Sequence, residues 1–224
     1  MHYKSILGFE HKRVVDRLNP EDVVYDMFAG IGPFVIPAAK KKKCTVFAND
    51  LNPESVKWLD RNAKLNKVKT EFHTFNMDGR EFVKEIVKPD LLNRWKMREG
   101  VVPNYHILMN LPALGIEFLD VFPRLLSDIK IDSEEYCSVV MPKVYCYCFS
   151  KSEDPETDVK ARAESILGQC LPESYIIHTV RSVAPNKDMM RITFNLNEDI
   201  LIGQSDGEVP PSKRLKPEAD HQVE

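Results

Sequence analysis

Short apolar runs alternate along the chain with segments in which apolar residues recur at helical spacing. The strand pattern occupies residues 23–28, 45–48, 71–77, 106–109 and 138–149, and the helical pattern occupies residues 33–43, 52–65, 79–87, 114–129 and 156–167. Two more strand patterns, residues 174–183 and 189–196, follow each other without a helix and predict an antiparallel hairpin. The alternation predicts an α/β fold, with a seven-stranded, mostly parallel sheet that is covered by helices on both faces and closed by the hairpin.

Local signals refine this pattern at three places. Asn52 before Pro53 predicts the start of a helix, because Asn caps the free N–H groups of the first turn and proline has no N–H there to lose. Pro123 predicts a kink in the helix over residues 114–129. Residues 88–104 are irregular and rich in Lys and Arg, so we expect a mobile inserted loop.

Domain boundaries follow from the residue types towards the two ends of the chain. Residues 203–224 are mainly Gly, Ser, Pro and charged residues, which bury too little apolar surface to offset the entropy of ordering, so we expect a disordered tail. Its segment KRLK (residues 213–216) is either a nuclear import signal or part of the solvated tail. One folded domain is expected over residues 9–202, after a divergent lead of residues 1–8.

Composition narrows the class of protein. The chain has 224 residues, of which 43% are hydrophobic and 29% charged, enough to bury a sizeable core. No apolar run approaches the roughly 18 residues of a membrane span, which excludes an integral membrane protein, and no secretory signal is visible. Five cysteines, an odd number, favour a reducing intracellular compartment, and the net charge of −3 argues against a broad basic face. Cys146 and Cys148 have no second pair at metal spacing, so no metal site is predicted.

The first predicted strand runs into a glycine turn with the sequence DMFAGIGP, residues 26–33. Gly30 and Gly32 would allow a ligand to approach the backbone at the start of the next helix. The turn departs from a dinucleotide fingerprint, because Val35 is bulky where a small residue is needed and Pro33 lacks an N–H. It is therefore either a nucleotide site or a structural tight turn.

Polar residues follow the next three strands. Asp50 lies 20 residues after Gly30, where a carboxylate can accept hydrogen bonds from both hydroxyls of a ribose. Asp78 follows the third strand. Asn110 follows the fourth strand and would present an amide to a planar heterocycle. Each residue also has a purely structural interpretation, as a helix cap or an Asx turn. Because parallel strands end at one edge of a sheet, the succession favours a ligand site there.

Five segments follow one another along the chain: DMFAGIGPF (26–34), NDLNPES (49–55), NMDGR (76–80), MNLPA (109–113) and VAPNK (183–187). In this order they resemble the eukaryotic and archaeal tRNA (guanine-N1)-methyltransferases, and the similarity runs from residue 10 to residue 196. Those enzymes modify the guanosine immediately 3′ of the anticodon. The resemblance implies a Rossmann-like class I S-adenosylmethionine-dependent methyltransferase domain over residues 9–202, whose sheet also ends in an antiparallel hairpin, with S-adenosyl-L-methionine as cofactor and tRNA as substrate.

The resemblance also implies the residues of the site. Glu10 is expected to be the general base, with Asn110 on the guanine edge. The expected cofactor-binding residues are His11, Asp26, Phe28, Gly30, Gly32, Asp50, Leu51, Asp78, Gly79 and Asn110, and the expected substrate-binding residues are Pro112, Arg181 and Lys187. The family implies a monomer located in the mitochondrial matrix, the nucleus and the cytoplasm.

The chemistry agrees with a carboxylate base. Guanine N1 carries a proton at neutral pH, so methylation requires a base and stabilisation of negative charge on O6. Burial against Phe9 and a stacked base would raise the pKa of the Glu10 carboxyl towards neutrality. Without the resemblance, Glu10 and His11 would be read as surface residues of a helix.

Departures from the family leave three alternatives. The residues before Glu10 do not match the family, and a family arginine upstream has no counterpart, so we expect a truncated form that binds S-adenosylmethionine and methylates tRNA poorly. An NAD-dependent oxidoreductase is a second alternative, although Val35 and Asn110 do not fit it. A non-catalytic RNA-binding or partner-binding remnant is the third.

Overall fold

The computed structural model describes residues 3–97 and 99–203. Its strands are β1 (Val23–Asp26), β2 (Thr45–Asn49), β3 (Phe72–Phe75), β4 (Tyr105–Met109), β5 (Lys143–Ser150), β6 (Ile176–Ala184) and β7 (Lys187–Asn195). Its α-helices are α1 (Tyr3–Asp16), α2 (Val35–Pro37), α3 (Pro53–Leu65), α4 (Gly79–Phe82), α5 (Lys88–Trp95), α6 (Pro155–Leu167) and α7 (Glu198–Leu201). Two π-helical turns, Ala38–Lys42 and Val83–Val87, extend α2 and α4, and Gly115–Val121 is a 3-10 helix.

The seven strands form one sheet in the order β3-β2-β1-β4-β5-β7-β6. Neighbouring strands from β3 to β5 pair in parallel, and β7 pairs antiparallel with both β5 and β6. The predicted seven-stranded, mostly parallel sheet with a closing hairpin is therefore confirmed. The carboxyl ends of β1 to β5 lie along one edge, which is where open α/β sheets bind their ligands.

Helices cover both faces of the sheet because the central strands are apolar on both sides. Val23 and Tyr25 of β1 belong to one buried cluster, and Val24 belongs to the other. The first cluster packs against α5, α6 and the 3-10 helix, whereas the second packs against α1, α2 and α3. Helix α3 begins as predicted, with the Asn52 side chain accepting from the Glu54 N–H at 3.0 Å.

The predicted loop over residues 88–104 is wrong for its first half, which is helix α5. Leu91 and Trp95 are four residues apart and buried in the core, so they anchor one face of the helix. Asp90 accepts from the Tyr25 hydroxyl at 2.6 Å and from Arg94 Nε at 2.7 Å. The basic character of the segment concealed this pattern, because Arg94 is paired rather than solvated.

The predicted helix over residues 114–129 is also wrong after its first turns. Only Gly115–Val121 is helical, as a 3-10 helix, and Arg124 has a positive φ of 61°. The N–H groups of Arg124 and Leu126 donate to the carbonyls of Ile200 and Leu201 in α7, at 2.8 and 2.7 Å. These long-range bonds replace the helical ones and give the segment an irregular path.

Strand β5 begins at Lys143, five residues after the predicted start at residue 138. The N–H groups of Cys137 and Ser138 donate to the Trp95 carbonyl instead of to a neighbouring strand. The predicted domain boundary between residues 8 and 9 lies inside α1. The predicted tail is residues 203–224, of which residues 204–224, with the KRLK segment, lie outside the described residues.

Membrane-spanning helices and metal-binding clusters are both absent from the described residues. None of the helices within residues 3–97 and 99–203 is both long and apolar enough to cross a membrane. In the same part of the chain, no three His, Cys, Asp or Glu side chains come together in a way that could hold a metal ion. Cys146 and Cys148 are both buried in the core cluster that packs against α6.

Candidate active site

The glycine turn after β1 is held against the end of β2 by two backbone donors. The Ala29 N–H donates to the Asn49 carbonyl at 2.7 Å, and the Gly30 N–H donates to Asp50 Oδ2 at 2.9 Å. Gly30 and Gly32 have positive φ angles of 54° and 95°, which favour glycine. A Cβ at Gly32 would lie 2.7 Å from buried side chains, whereas one at Gly30 would meet no atom within 4 Å. The turn is therefore tightly packed on one side and open at Gly30.

Asn49, the last residue of β2, joins three strand ends through its side chain. Its Nδ2 donates to the carbonyls of Met27 and Met77 at 3.1 and 2.9 Å, and its Oδ1 accepts from the Met77 N–H at 3.0 Å. The side chain is completely buried. It therefore fixes the spacing between the segments that carry Asp26, Asp50 and Asp78.

Asp50 and Asp78 both have the local roles that their structural interpretation predicts. Asp50 Oδ1 accepts from the Asn52 N–H at 2.9 Å. Asp78 caps α4, with Oδ1 accepting from the Arg80 N–H at 2.8 Å. A carboxylate has about four acceptor positions, so these bonds fix both side chains and leave them able to accept from a ligand.

Asp26, at the end of β1, is a fully buried carboxyl with one oxygen unpaired. Its Oδ1 accepts from the Phe28 N–H at 3.2 Å, and its Oδ2 has no hydrogen-bond partner among the described residues. Burial raises the pKa of Asp26 to about 7, the Phe28 N–H opposes this, and the nearby Asp50 charge adds to it. An unpaired buried oxygen at a sheet edge suits a cationic or hydrogen-bond-donating ligand group.

An apolar wall closes the site beside Asp78. The Phe28 ring meets the Phe118 ring edge-on with centroids 4.9 Å apart. A Cβ at Gly79 would lie 3.1 Å from Phe28 and 3.2 Å from Phe118, so any larger residue there would push these rings back from the start of α4. Leu51 is 69% exposed at the same edge, which leaves its side chain available to cover a ligand.

Glu10 is a residue of α1, and its carboxylate is buried among side chains from three strands. Its Oε1 accepts from the Tyr147 hydroxyl at 3.2 Å and from Arg191 Nη1, and His178 Nε2 lies 3.7 Å away. Its Oε2 lies 3.6 Å from Arg13 Nη1. Tyr147, His178 and Arg191 come from β5, β6 and β7, and the pairing of these strands places the three residues side by side.

The expectation that the pKa of Glu10 is raised is wrong. Burial acts to raise the pKa, as expected, but interactions with His178, Arg191 and Tyr147 favour the carboxylate and lower the pKa below its ordinary value. The sequence placed Glu10 among apolar groups, whereas the folded chain surrounds it with donors. Glu10 is therefore a carboxylate held in a fixed position.

His11 faces inward and not into solvent. Its ring lies 4.1 Å from the Phe34 ring, and burial lowers the pKa of His11 although the Glu10 charge opposes this. Phe34 in turn lies 6.0 Å from Tyr147. His11 thus links the glycine turn to the strands that surround Glu10.

The proposed substrate residues lie near the ends of β4, β6 and β7. Asn110 directly follows β4, and the Pro112 carbonyl accepts from the Phe149 N–H at 2.9 Å. Lys187 starts β7, and its Nζ lies 4.2 Å above the Phe149 ring. These residues therefore share the carboxyl edge of the sheet. Arg181 lies on β6, paired with Met189 at a β-bulge, farther along the edge.

Sequence reasoning did not predict the contacts that four residues make in this region: Asn49, Tyr147, His178 and Arg191. Asn49 carried a weak signal, because it precedes Asp50 at a strand end. The other three lie 137 to 181 residues from Glu10 along the chain, and nothing in their local sequence connects them with it.

A cavity of about 480 Å³ lies elsewhere, at the amino ends of the strands. Its lining includes Thr45 and Glu71, which start or precede β2 and β3, and Arg94 of α5. It shares no residue with the carboxyl edge described above.

Comparison with known proteins identifies the family. The model of the TRM5/TYW2 methyltransferase domain matches residues 1–131. The chain is 51% identical over 217 residues to the tRNA (guanine(37)-N(1))-methyltransferase of Xenopus tropicalis, covering 96% of this chain and 42% of that protein. It is 45% identical to the human protein of the same name, again with 96% and 42% covered. The chain thus spans about two fifths of the length of the curated relatives it matches.

Solved structures agree in fold. Trm5b from Pyrococcus abyssi is similar with a TM-score of 0.57 and 28% identity, covering 85% of this chain and 48% of that one. The structure of aTrm5 in complex with tRNALeu is similar with a TM-score of 0.54 and 25% identity, covering 86% of this chain and 46% of that one. The predicted class I methyltransferase fold is confirmed, and the NAD-dependent alternative is not favoured. The chain belongs to the TRM5/TYW2 methyltransferase domain family.

Proposed function

We propose that this chain binds S-adenosyl-L-methionine at the carboxyl edge of β1 to β4 and transfers its methyl group to N1 of guanosine 37 in tRNA. The observation that carries the proposal is the convergence of Asp26, the glycine turn, Asp50 and Asp78 at one edge, held together by Asn49. The names of the curated relatives supply the reaction and the substrate.

The residues at this edge fit the cofactor. The unpaired Asp26 Oδ2 would accept from a donor on the amino-acid portion, Asp50 would accept from the ribose, and Asp78 would accept from the adenine amino group. Open space at Gly30 would let the ligand approach the backbone. S-adenosylmethionine supplies a methyl group that is already activated on a sulfonium, so the chain mainly orients the reactants and removes a proton.

Glu10 would remove the proton from guanine N1, and Asn110 would orient the guanine. Glu10 Oε1 is occupied by Tyr147 and Arg191, which leaves Oε2 as the oxygen to accept the N1 proton. Asn110 would hold the guanine edge with its amide. Arg13, whose Nη1 lies 3.6 Å from Glu10 Oε2, would have to move aside or face the guanine oxygen, where its charge would stabilise developing negative charge.

The experiment measures binding and transfer separately. Isothermal titration with S-adenosylhomocysteine tests the cofactor site, with Asp50→Asn as the weakened variant. Methyl transfer from radiolabelled S-adenosylmethionine to tRNA transcripts with G37 or A37 tests the reaction, and mass spectrometry locates the methyl group at N1. Labelling of the A37 transcript as strongly as the G37 transcript would reject the proposed substrate.

The sequence-based alternative, a form that binds the cofactor and transfers poorly, predicts normal titration with weak labelling. The same two measurements therefore separate it from the full reaction. Action as a monomer and location in the mitochondrial matrix, nucleus and cytoplasm belong to the proposal as well, and their support is the family resemblance.

A further inference from the structure

A strongly basic surface is present on a chain whose net charge is −3. Six of its 31 Lys and Arg side chains lie within residues 12–17 and 40–42, and the one acidic residue in these segments is Asp16. We name this surface the basic patch and define it by Lys12, Arg13, Arg17, Lys40, Lys41 and Lys42. All of them are exposed except Lys42, which is half-buried.

Two separate elements form the basic patch. The first three cations belong to α1 and its end, and the others belong to the π-helical turn after α2. Lys42 Nζ donates to the Asp16 carbonyl at 3.0 Å, which joins the two elements directly. The pKa of Asp16 is lowered, first by its hydrogen bond with Lys12 and then by the charges of Lys42 and Lys41. Asp16 is thus surrounded by cations, and the surface keeps a large excess of positive charge.

The basic patch is continuous with the proposed base. Arg13 Nη1 lies 3.6 Å from Glu10 Oε2, and its side chain is 59% exposed. From Glu10 to Asp16 the helix axis rises about 9 Å, so the cations extend away from Glu10 along one helix. The basic patch therefore starts beside Glu10 and extends along α1 towards the amino ends of β1 and β2. An RNA strand that followed α1 from a guanine at Glu10 would place its next phosphates over these cations.

We propose that the basic patch binds the phosphate backbone of the RNA substrate next to the methylated guanosine. The inference rests on the proposed function for the identity of the RNA. Lys and Arg bind phosphates with little regard to base sequence, so the patch would contribute affinity and orientation, whereas Asn110 would read the base.

The test compares two triple variants that remove the same charge. The patch variant is Lys12→Gln/Arg17→Gln/Lys41→Gln, which spares Arg13 because it contacts Glu10 and Lys42 because it joins the two elements. The control variant is Lys64→Gln/Lys67→Gln/Lys69→Gln, which removes three exposed lysines at the β3 edge of the sheet. Fluorescence anisotropy with an unmodified tRNA transcript carrying G37 gives Kd between 50 and 200 mM KCl.

We expect the patch variant to bind the transcript about tenfold more weakly, with the slope of log Kd against log salt lowered by about two to three, since each lost phosphate contact removes about 0.7–0.9. The control variant should change Kd by less than about twofold. Titration with S-adenosylhomocysteine should be the same for all three proteins, which verifies that they are folded.

Three outcomes would each overturn the inference: an equal loss of RNA affinity in both variants, wild-type affinity in the patch variant, or no RNA binding by the wild type. The inference would also be overturned if the patch variant lost binding to vesicles that contain anionic lipid but kept its binding to RNA. A wild type that binds RNA through the patch but transfers no methyl group would refute the proposed function and leave the patch intact. Methyl transfer together with wild-type RNA affinity in the patch variant would refute the role of the basic patch and leave the proposed function standing.

Discussion

Replacing Asn49 with Ala removes the side chain that joins the ends of β1, β2 and β3. Three hydrogen bonds are lost, two donated to the carbonyls of Met27 and Met77 and one accepted from the Met77 N–H. Because Asn49 is completely buried, water does not readily replace it. The backbone groups left behind therefore carry a desolvation penalty and not just the loss of a bond.

The expected loss of stability follows from these three bonds. A hydrogen bond contributes about 1 kcal/mol net, and a buried group left unpaired costs about 1–3 kcal/mol. The three groups together predict a loss of about 3–5 kcal/mol, a large part of the roughly 5–15 kcal/mol that stabilises a typical domain. For a chain of this size, the melting temperature should fall by about 6–20 °C.

Urea unfolding followed by circular dichroism measures the free energy of unfolding, with and without S-adenosylhomocysteine. The stabilisation by this ligand should also shrink, because the variant no longer holds Asp50 and Asp78 at a fixed spacing. Asn62→Ala is the matched control, since it removes one partly exposed bond of 3.0 Å to the Ile31 carbonyl and should cost less than about 1 kcal/mol. A loss for Asn49→Ala no larger than that of the control would refute the reasoning.

Three further predictions concern the same edge of the sheet. Gly32→Ala should cost about 2–4 kcal/mol in urea unfolding and Gly30→Ala about 1–2, because both positions strain a positive φ but only the first adds a steric clash; equal losses would contradict this. Arg191→Gln should move the acid limb of the single-turnover pH–rate profile to higher pH, because it removes a charge that lowers the pKa of Glu10. Arg191→Lys should bring the limb part of the way back to its wild-type position, and an unchanged limb in Arg191→Gln would count against the ion pair. Since the pKa of Asp26 is raised to about 7 from 3.8, the contribution of this carboxyl to the free energy of unfolding is full below pH 3.8 and falls by about 4 kcal/mol as the pH rises to 7. The urea midpoint of Asp26→Asn should not show this fall, and midpoints that change with pH in parallel in the variant and the wild type would reject the prediction.

Much of the fold could be predicted because local pattern and packing agree. The strands that carry Asp26, Asp50 and Asp78 are short apolar runs closed by turn residues, and parallel topology then brings their ends together. The prediction failed at residues 88–95, where Asp90 and Arg94 satisfy each other in a helix that resembles a solvated loop. There the pairing of two charges, which a sequence does not display, decided the structure.

The surroundings of Glu10 could not be predicted for a different reason. Tyr147, His178 and Arg191 sit on consecutive strands of the sheet, but each looks like an ordinary strand residue by itself. Their convergence depends on β7 inserting between β5 and β6, with a register that aligns Tyr147 and His178 with Arg191. The sequence predicted the hairpin, but register to the single residue is set by tertiary packing.

The position of β7 has a consequence for how the protein is made. Glu10 leaves the ribosome 181 residues before its partner Arg191. The parallel strands β1 to β5 can pair before β7 is synthesised, but Glu10 lacks the Arg191 guanidinium until β7 joins the sheet. The buried ion pair is therefore among the last contacts of this sheet to form during synthesis, and nascent chains that end before β7 should hold α1 loosely.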